Sequence, residues 1–173
     1  MRKITILFFF IFNLSEIHAQ LEVAAMLGKY KTHNSFGYGA FLNFGKQVTD
    51  AGYATIEIAV NIFPDVGSGG QDGIAVIPAF VGYKQTLNGS GLGFYIQPQV
   101  GYNIAGAISN EYVDETFHGF AWAGTLGYLF PPGNKIQFDI GLKYESIIHS
   151  GGSINFIALR LAHSFIFGRR DEY

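Results

Sequence analysis

The sequence predicts an all-β chain in which eight antiparallel strands close into an up-and-down transmembrane β-barrel. Residues 135–145 show the pattern most clearly, because apolar side chains alternate there with polar or small ones at the period of a strand. One face carries Ile136, Phe138, Ile140, Leu142 and Tyr144, and the other carries Lys135, Gln137, Asp139, Gly141, Lys143 and Glu145. Alternation alone leaves open whether the apolar face meets a protein core or lipid.

The composition of the second face favours lipid. In residues 36–45 and 117–130 one face carries large apolar side chains, while the other is mostly glycine and alanine. A water-facing surface would normally carry Lys, Glu and Thr, because glycine weakens strands. A narrow barrel interior, by contrast, has room only for small side chains and a few polar ones. Charged residues are only 14% of the chain, against about 25% in soluble domains.

The N-terminus has the order of a secretory signal peptide. Arg2 and Lys3 precede an apolar run at residues 4–14, and a more polar stretch follows to Ala19. We expect cleavage after Ala19, which makes residues 1–19 the signal peptide and residues 20–173 the barrel domain. An uncleaved anchor is the alternative, although the run is short for a membrane span. Export without another apolar segment leaves the periplasm, secretion or an outer membrane, and the two faces of the strands favour the outer membrane.

The strands are expected in order along the mature chain, each with large apolar side chains outward. They are predicted at residues 21–30, 36–45, 52–63, 73–87, 92–104, 117–130, 135–145 and 154–167. Residues 88–91, Asn-Gly-Ser-Gly, form a tight turn, and Pro-Pro-Gly-Asn at 131–134 forms another. Residues 64–72 and 105–116 are predicted long loops. Compact turns at one rim and longer loops at the other are typical of outer-membrane barrels.

Three residues fit this pattern poorly. Pro78 and Pro98 fall inside predicted strands, where each removes a ladder hydrogen bond, so we expect bulges or gaps there. His163 falls on the lipid face by alternation, which requires a position near a rim.

These features resemble the small eight-stranded outer-membrane barrels of the OmpA and OmpX type. The resemblance covers residues 20–168 and includes the aromatic-ended last strand at 159–167, similar to the segment that barrel-insertion machinery recognises. It implies a monomer in contact with outer-membrane lipid and lipopolysaccharide, with a surface partner for the loops as one option. The tail at 168–173 departs from the family, where the last strand often ends the chain, and is too short for a peptidoglycan-binding domain.

Charged side chains at inward positions form the candidate functional site. They are Glu22, Glu57, Lys84, Asp139, Lys143, Glu145 and Arg160. Inside a barrel these groups need partners, because an unpaired buried charge costs several kcal/mol. We favour a structural network that fixes strand register. The alternative, which assigns a more specific function, is a narrow gated channel in which the ion pairs rearrange.

Residues 145–150 suggest an enzymatic site as a further hypothesis. Glu145, His149 and Ser150 are similar in type to the catalytic residues of lipid A deacylases. Adjacent residues of a strand lie on opposite faces, however, so His149 is poorly placed to activate Ser150. A turn at residues 150–152 explains the serine better.

Metal and cation sites have little support. His33, His118 and His149 lie near the longer-loop rim, but no spacing supports a metal site. The acidic residues of that rim suggest divalent cations bridging lipopolysaccharide, although ordinary solvation explains them: Asp65, Asp72, Glu111, Asp114 and Glu115. The chain has 0 cysteines and a net charge of -2, which excludes disulfides and thiolate sites and gives no reason to expect nucleic acid.

The function expected is that of an outer-membrane barrel without enzymatic activity, cofactor or metal. Its role would be membrane-structural or a surface interaction through the longer loops. A narrow, porin-like channel for small solutes or ions is the alternative, and a lipid A-modifying enzyme is the third hypothesis. A periplasmic ligand-binding barrel is the alternative for the fold.

Overall fold

The computed structural model describes the backbone of most of the chain. The described residues are 17–30, 33–64, 73–89, 91–109, 114–131 and 136–167. Side chains are described for residues 35–64, 73–89, 91–107, 116–131 and 137–163. The predicted signal peptide lies almost entirely outside these ranges, and its cleavage stays a prediction.

Eight strands form in the described part of the chain. They are β1 (Ile17–Tyr30), β2 (His33–Thr49), β3 (Gly52–Phe63), β4 (Gly73–Thr86), β5 (Gly93–Ser109), β6 (Asp114–Leu129), β7 (Ile136–His149) and β8 (Gly152–Phe167). Each strand pairs antiparallel with the next, and β1 pairs with β8 to close the barrel. The predicted fold class is therefore confirmed. No helix in the described ranges is long and apolar enough to cross a membrane.

The predicted loop at residues 105–116 is wrong. β5 continues to Ser109 and β6 begins at Asp114, and these two residues pair with each other. Glycine and acidic residues suggested a loop locally, but antiparallel pairing within the hairpin satisfies the backbone and extends both strands. The difference in length between the connections of the two rims is smaller than predicted and depends mainly on residues 64–72.

The register fixes the size of the barrel. Following paired residues once around the barrel from Gln137 leads back to the same strand at Ile147, ten residues away. With eight strands, standard spacing and rise, this stagger corresponds to a strand tilt of about 40° and a backbone radius of about 8 Å. An interior of this width is filled mainly by side chains.

Both prolines coincide with irregular pairing, as predicted. The β4–β5 register shifts between Ile77 and Pro78, and the Ile77 amide donates instead to Asn103 Oδ1 at 3.1 Å. Opposite Pro98 the same ladder is interrupted between the Gly82–Gln99 and Gln85–Ile96 pairs. The missing proline amides account for both features.

The outer surface carries the large apolar side chains, as predicted. Exposed examples are Leu42, Ile58, Val81, Val100, Leu126, Leu142 and Leu159. Aromatic residues lie near both ends of this surface: Phe36, Tyr102, Phe120 and Trp122 towards one end, and Phe94, Phe130 and Phe138 towards the other. Phe120 and Phe130 are ten residues apart, which at this tilt is about 25 Å along the barrel axis, the height of a lipid-facing belt.

His163 also lies on this outer surface. Its ring packs edge-on against Phe138 with centroids 5.3 Å apart. Phe138 is close to the first residue of β7 and therefore to one end of the barrel. We call this end, which carries the β2–β3 connection, the turn end. The opposite end, which carries residues 64–72, is called the loop end.

Two glycines, Gly101 on the inner face of the wall and Gly124 on the outer face, are predicted to respond unequally to an added methyl group. A Cβ at Gly101 would collide with the Ala79 carbonyl and lie 2.8 Å from Phe80 Cδ1, whereas a Cβ at Gly124 meets nothing within 4 Å. We expect Gly101→Ala to lower the free energy of unfolding by about 1–3 kcal/mol. Gly124→Ala should change it by less than about 1 kcal/mol. Urea titration of the refolded barrel measures both, and equal effects would contradict the packing described.

Candidate functional site

The centre of the lumen holds an ion cluster that joins opposite walls. Lys143 Nζ on β7 lies 2.6 Å from Glu57 Oε1 on β3 and 2.8 Å from Glu145 Oε2. These three residues are fully buried. Because β3 and β7 are four strands apart in an eight-stranded barrel, the contact between Lys143 and Glu57 spans the lumen.

Arg160 on β8 completes the cluster. Its guanidinium lies 3.7 Å from Glu57 Oε2 and donates to Thr125 Oγ1 on β6 at 3.0 Å. Glu57 therefore lies between two cations, and the four charges Glu57, Lys143, Glu145 and Arg160 balance. The four charges come from three strands, β3, β7 and β8, and Thr125 adds β6, so the geometry of the cluster depends on the closed barrel.

A second ion pair lies nearer the turn end. Lys84 Nζ on β4 is 2.9 Å from Asp139 Oδ2 on β7, and the Tyr95 hydroxyl donates to Asp139 Oδ1 at 2.7 Å. All three side chains are buried. Asp139 thus has one charged and one neutral donor, which offsets part of the desolvation cost of burying a carboxylate.

Aromatic rings enclose the buried cations, and the sequence reasoning missed this role. Lys143 Nζ lies 4.5 Å from the centroid of Phe80 and 4.9 Å from that of Phe41. Lys84 Nζ lies 4.5 Å from the centroid of Tyr95. Ring faces attract cations, more strongly where water is excluded. Large aromatic side chains at inward positions, among small neighbours, were the available signal.

Buried amides complete the shell around the carboxylates. Gln99 Nε2 and Asn43 Nδ2 donate to Glu57 Oε2 at 3.1 Å and 3.3 Å. Asn61 Nδ2 donates to Glu145 Oε1 at 3.3 Å. Gln99 crosses β4 to reach Glu57 over Gly82, where a Cβ would lie 2.7 Å from Gln99 Cγ. Gly82 is therefore part of the site, although it has no side chain.

Six of the seven predicted lumen residues are thus buried and brought together in two groups. Glu22 is the seventh, and its side chain lies outside the described set. Its backbone pairs with Phe41 on β2 and Ala162 on β8, two residues along from the Ala24–Arg160 pair. Whether the network is structural or a gate stays a prediction.

The loop end of the lumen is filled by apolar side chains, which we call the loop-end plug. Its members are Phe63, Ile74, Val76, Phe117, Ile147, Ile154 and Phe156, each at most 4% exposed. The Phe63 and Phe156 rings pack with centroids 5.2 Å apart. A Cβ at Gly37 would collide with the Phe63 ring, and one at Gly106 with the Phe117 ring, so these glycines make room for the plug.

The turn end contains a small cavity of about 20 Å³. Its lining residues are Asn43, Gly45, Tyr53, Thr55, Lys84, Leu129 and Gln137. This volume accommodates about one water molecule. It is far too small for an organic solute.

The other candidate residues are not assembled into a site in the described part of the chain. Glu145 is bound within the lumen, and His149 is four residues away, about 13 Å along the strand. The His149 Nδ1 accepts from the Gly151 amide at 3.1 Å, and its ring packs on Phe117. Ser150 lies in the exposed turn beside it, as the turn interpretation predicts.

The histidine and acidic residues that were considered as metal or cation ligands form no such site among the residues that the structure describes. No group of three or more His, Asp or Glu side chains suited to a metal occurs among the described residues. His118 Nδ1 instead lies 2.6 Å from the Ile104 carbonyl oxygen. The side chains of the remaining candidates fall outside the described set: His33, Asp65, Asp72, Glu111, Asp114 and Glu115.

The ion cluster predicts a large stability loss when its central cation is removed. Lys143→Met should lower the free energy of unfolding by about 3–5 kcal/mol, because it leaves Glu145 buried without its ion-pair partner and Glu57 with Arg160 alone. Adding Glu57→Gln should recover part of this loss. Lys46→Met, at a partly exposed lysine, is the control. Urea titration followed by the fluorescence of the chain's 1 tryptophan tests this, and an unchanged midpoint for Lys143→Met would contradict it.

Comparison with solved structures places this architecture among outer-membrane proteins. Neisserial surface protein A superposes with a TM-score of 0.65 at 12% identity, over 86% of this chain and 96% of that one. Ail, the attachment invasion locus protein of Yersinia pestis, gives 0.59 at 16% identity, over 87% and 99%. OprG of Pseudomonas aeruginosa gives 0.56 at 12% identity, over 90% and 96%.

Sequence comparisons are silent, since no protein-family model and no curated protein matches the chain. At these identities the structural likeness is one of fold. The chain therefore has the fold of the small outer-membrane β-barrels of the OmpA and OmpX type.

Proposed function

We propose that this protein is an integral outer-membrane barrel with a membrane-structural or surface-interaction role. The observation that carries the proposal is the continuous apolar belt, about 25 Å high, with aromatic residues near both of its ends. Such a surface is costly in water and favourable in a bilayer. Outer-membrane lipid and lipopolysaccharide are the surroundings this belt would contact, after insertion by the barrel machinery as a monomer.

The loop end is the part proposed to meet partners outside the cell. It carries the longest connection, residues 64–72, and the extended hairpin of β5 and β6, with strands of 17 and 16 residues. A tilted membrane strand needs about 9–11 residues, so these strands extend beyond the bilayer. In outer-membrane barrels the short turns face the periplasm and the longer loops face outward.

A narrow channel is the second candidate. The observation in its favour is the polar lumen below the loop-end plug, which contains buried ion pairs. No described arrangement favours the third hypothesis, a lipid A-modifying enzyme, so we propose a protein without catalytic activity, cofactor or metal.

The membrane proposal predicts that two equally exposed apolar residues respond differently to a charge. Leu142 and Val48 are 52% and 53% exposed, but Leu142 lies at mid-height of the belt and Val48 next to the turn end. Leu142→Arg should lower the free energy of unfolding in lipid vesicles by about 2–4 kcal/mol, and Val48→Arg by about 0–1 kcal/mol. In a water-soluble barrel both changes would be harmless, and that result would reject the proposal.

The orientation predicts which connections are reached from outside intact cells. An epitope inserted within residues 64–72 should be labelled by antibody on intact cells expressing the full chain. The same epitope inserted after Asn88, in the exposed β4–β5 turn, should be labelled only after the outer membrane is permeabilised. The reverse pattern would mean that the loop end faces the periplasm.

A further inference from the structure

We infer that the loop-end plug is the permeability barrier of this barrel, and that the polar lumen beneath it is a blind, hydrated space entered from the turn end. This inference rests on the proposed membrane-spanning function. It assigns the seal to apolar packing rather than to the ion pairs that sequence reasoning singled out.

Unpaired amide oxygens indicate that the polar lumen holds water. Gln97 Oε1, Gln99 Oε1 and Asn61 Oδ1 are buried and have no hydrogen-bond partner among the described residues. The Nε2 of Gln99 and the Nδ2 of Asn61 donate to the carboxylates of Glu57 and Glu145, so exchanging O and N would break those bonds. Gln97 bonds to the Thr55 hydroxyl, and exchanging its O and N would only leave its Nε2 without a partner in place of Oε1. Buried polar atoms without protein partners are normally satisfied by water.

The small cavity at the turn end is the place where that water would enter. The small cavity there is lined by Thr55, Asn43 and Lys84 among others, and Thr55 Oγ1 accepts from Gln97 Nε2 at 3.1 Å. Polar groups therefore follow one another from this cavity through Gln97 and Gln99 to the ion cluster. Water entering from the turn end finds hydrogen-bond partners at each level.

The path ends at the plug. Asn61 is the last inward polar side chain of β3, and Phe63 follows it on the same wall. Beyond this level β3, β4, β6, β7 and β8 contribute buried hydrocarbon side chains, and the buried Asn103 amide on β5 is already bonded to the Ile77 amide and the Phe117 carbonyl. Water gains no hydrogen bonds there, and an apolar constriction of this kind excludes it by dewetting.

The ion pairs are poorly suited to be the movable seal. Lys143 touches two carboxylates and lies over two rings, so moving it breaks four favourable contacts at once. Any exchange of partners within the cluster would also leave the plug in place. Opening the barrel therefore requires a change in the plug itself.

The test compares water and ion passage through variants that alter one layer at a time. The full chain is refolded into lipid vesicles and planar bilayers as wild type, as Ile147→Ala/Phe156→Ala, and as Glu57→Gln/Lys143→Met. The first variant trims the plug. The second neutralises the central ion pair with side chains of similar size and leaves the net charge unchanged.

We expect the wild type and the ion-pair variant to match protein-free vesicles in osmotic water permeability and to show no conductance steps. The plug variant should raise water permeability several-fold. A plug variant as tight as wild type, or a leaky ion-pair variant beside a tight plug variant, would overturn the inference. Conductance steps from the wild type would instead reject the proposed non-channel function.

A second plug variant tests the inference even where the Ile147→Ala/Phe156→Ala protein does not fold. Val76→Thr/Ile154→Thr introduces hydroxyls with little loss of volume, so it wets the plug without emptying it. We expect increased water permeability from this variant as well. A folded, protease-resistant barrel that stays tight would count against the apolar plug as the barrier.

Discussion

Backbone hydrogen bonding is the constraint on which the rest of this structure depends. In hydrocarbon every amide and carbonyl needs a partner within the protein, so a sheet that crosses a membrane has to close on itself. Eight strands with a stagger of ten residues close at a radius of about 8 Å. That radius leaves an interior too narrow for bulk water and too wide for backbone alone, so side chains have to fill it.

How the interior is filled follows from this geometry. Small residues such as Gly101 and Ala121, which pair across β5 and β6, line parts of the wall, while longer side chains from facing strands meet at the centre. Lys143 and Glu57 lie on opposite walls, and their side chains are long enough to meet at the centre of the lumen. A hydrophobic pair would hold the two walls together less specifically. Ion pairs and hydrogen bonds from side-chain amides fix both the distance and the direction of the contact.

Sequence reasoning succeeded where the signal is local. Alternation with a period of two assigns each residue to a face, and inward placement of Glu57, Lys84 and Arg160 followed from it. It failed where the signal is global. Which cation meets which carboxylate depends on register around the whole barrel, and so does the position of Phe80 over Lys143. Strand ends were also misjudged at residues 105–116, because pairing within a hairpin overrides local loop composition.

The lumen is polar at mid-height and apolar at the loop end, and each layer suits its position along the axis. Charges placed at mid-height are shielded from lipid by a complete wall of strands, and hydrogen-bonding amides such as Gln99 screen them further. At the loop end, where strands such as β5 extend past the apolar belt, aromatic and aliphatic side chains fill the lumen without requiring partners. In the structural interpretation of the network, specific pairing in the middle sets the register, while in the proposed plug nonspecific packing at the end excludes water. The two layers therefore perform different tasks, and neither replaces the other.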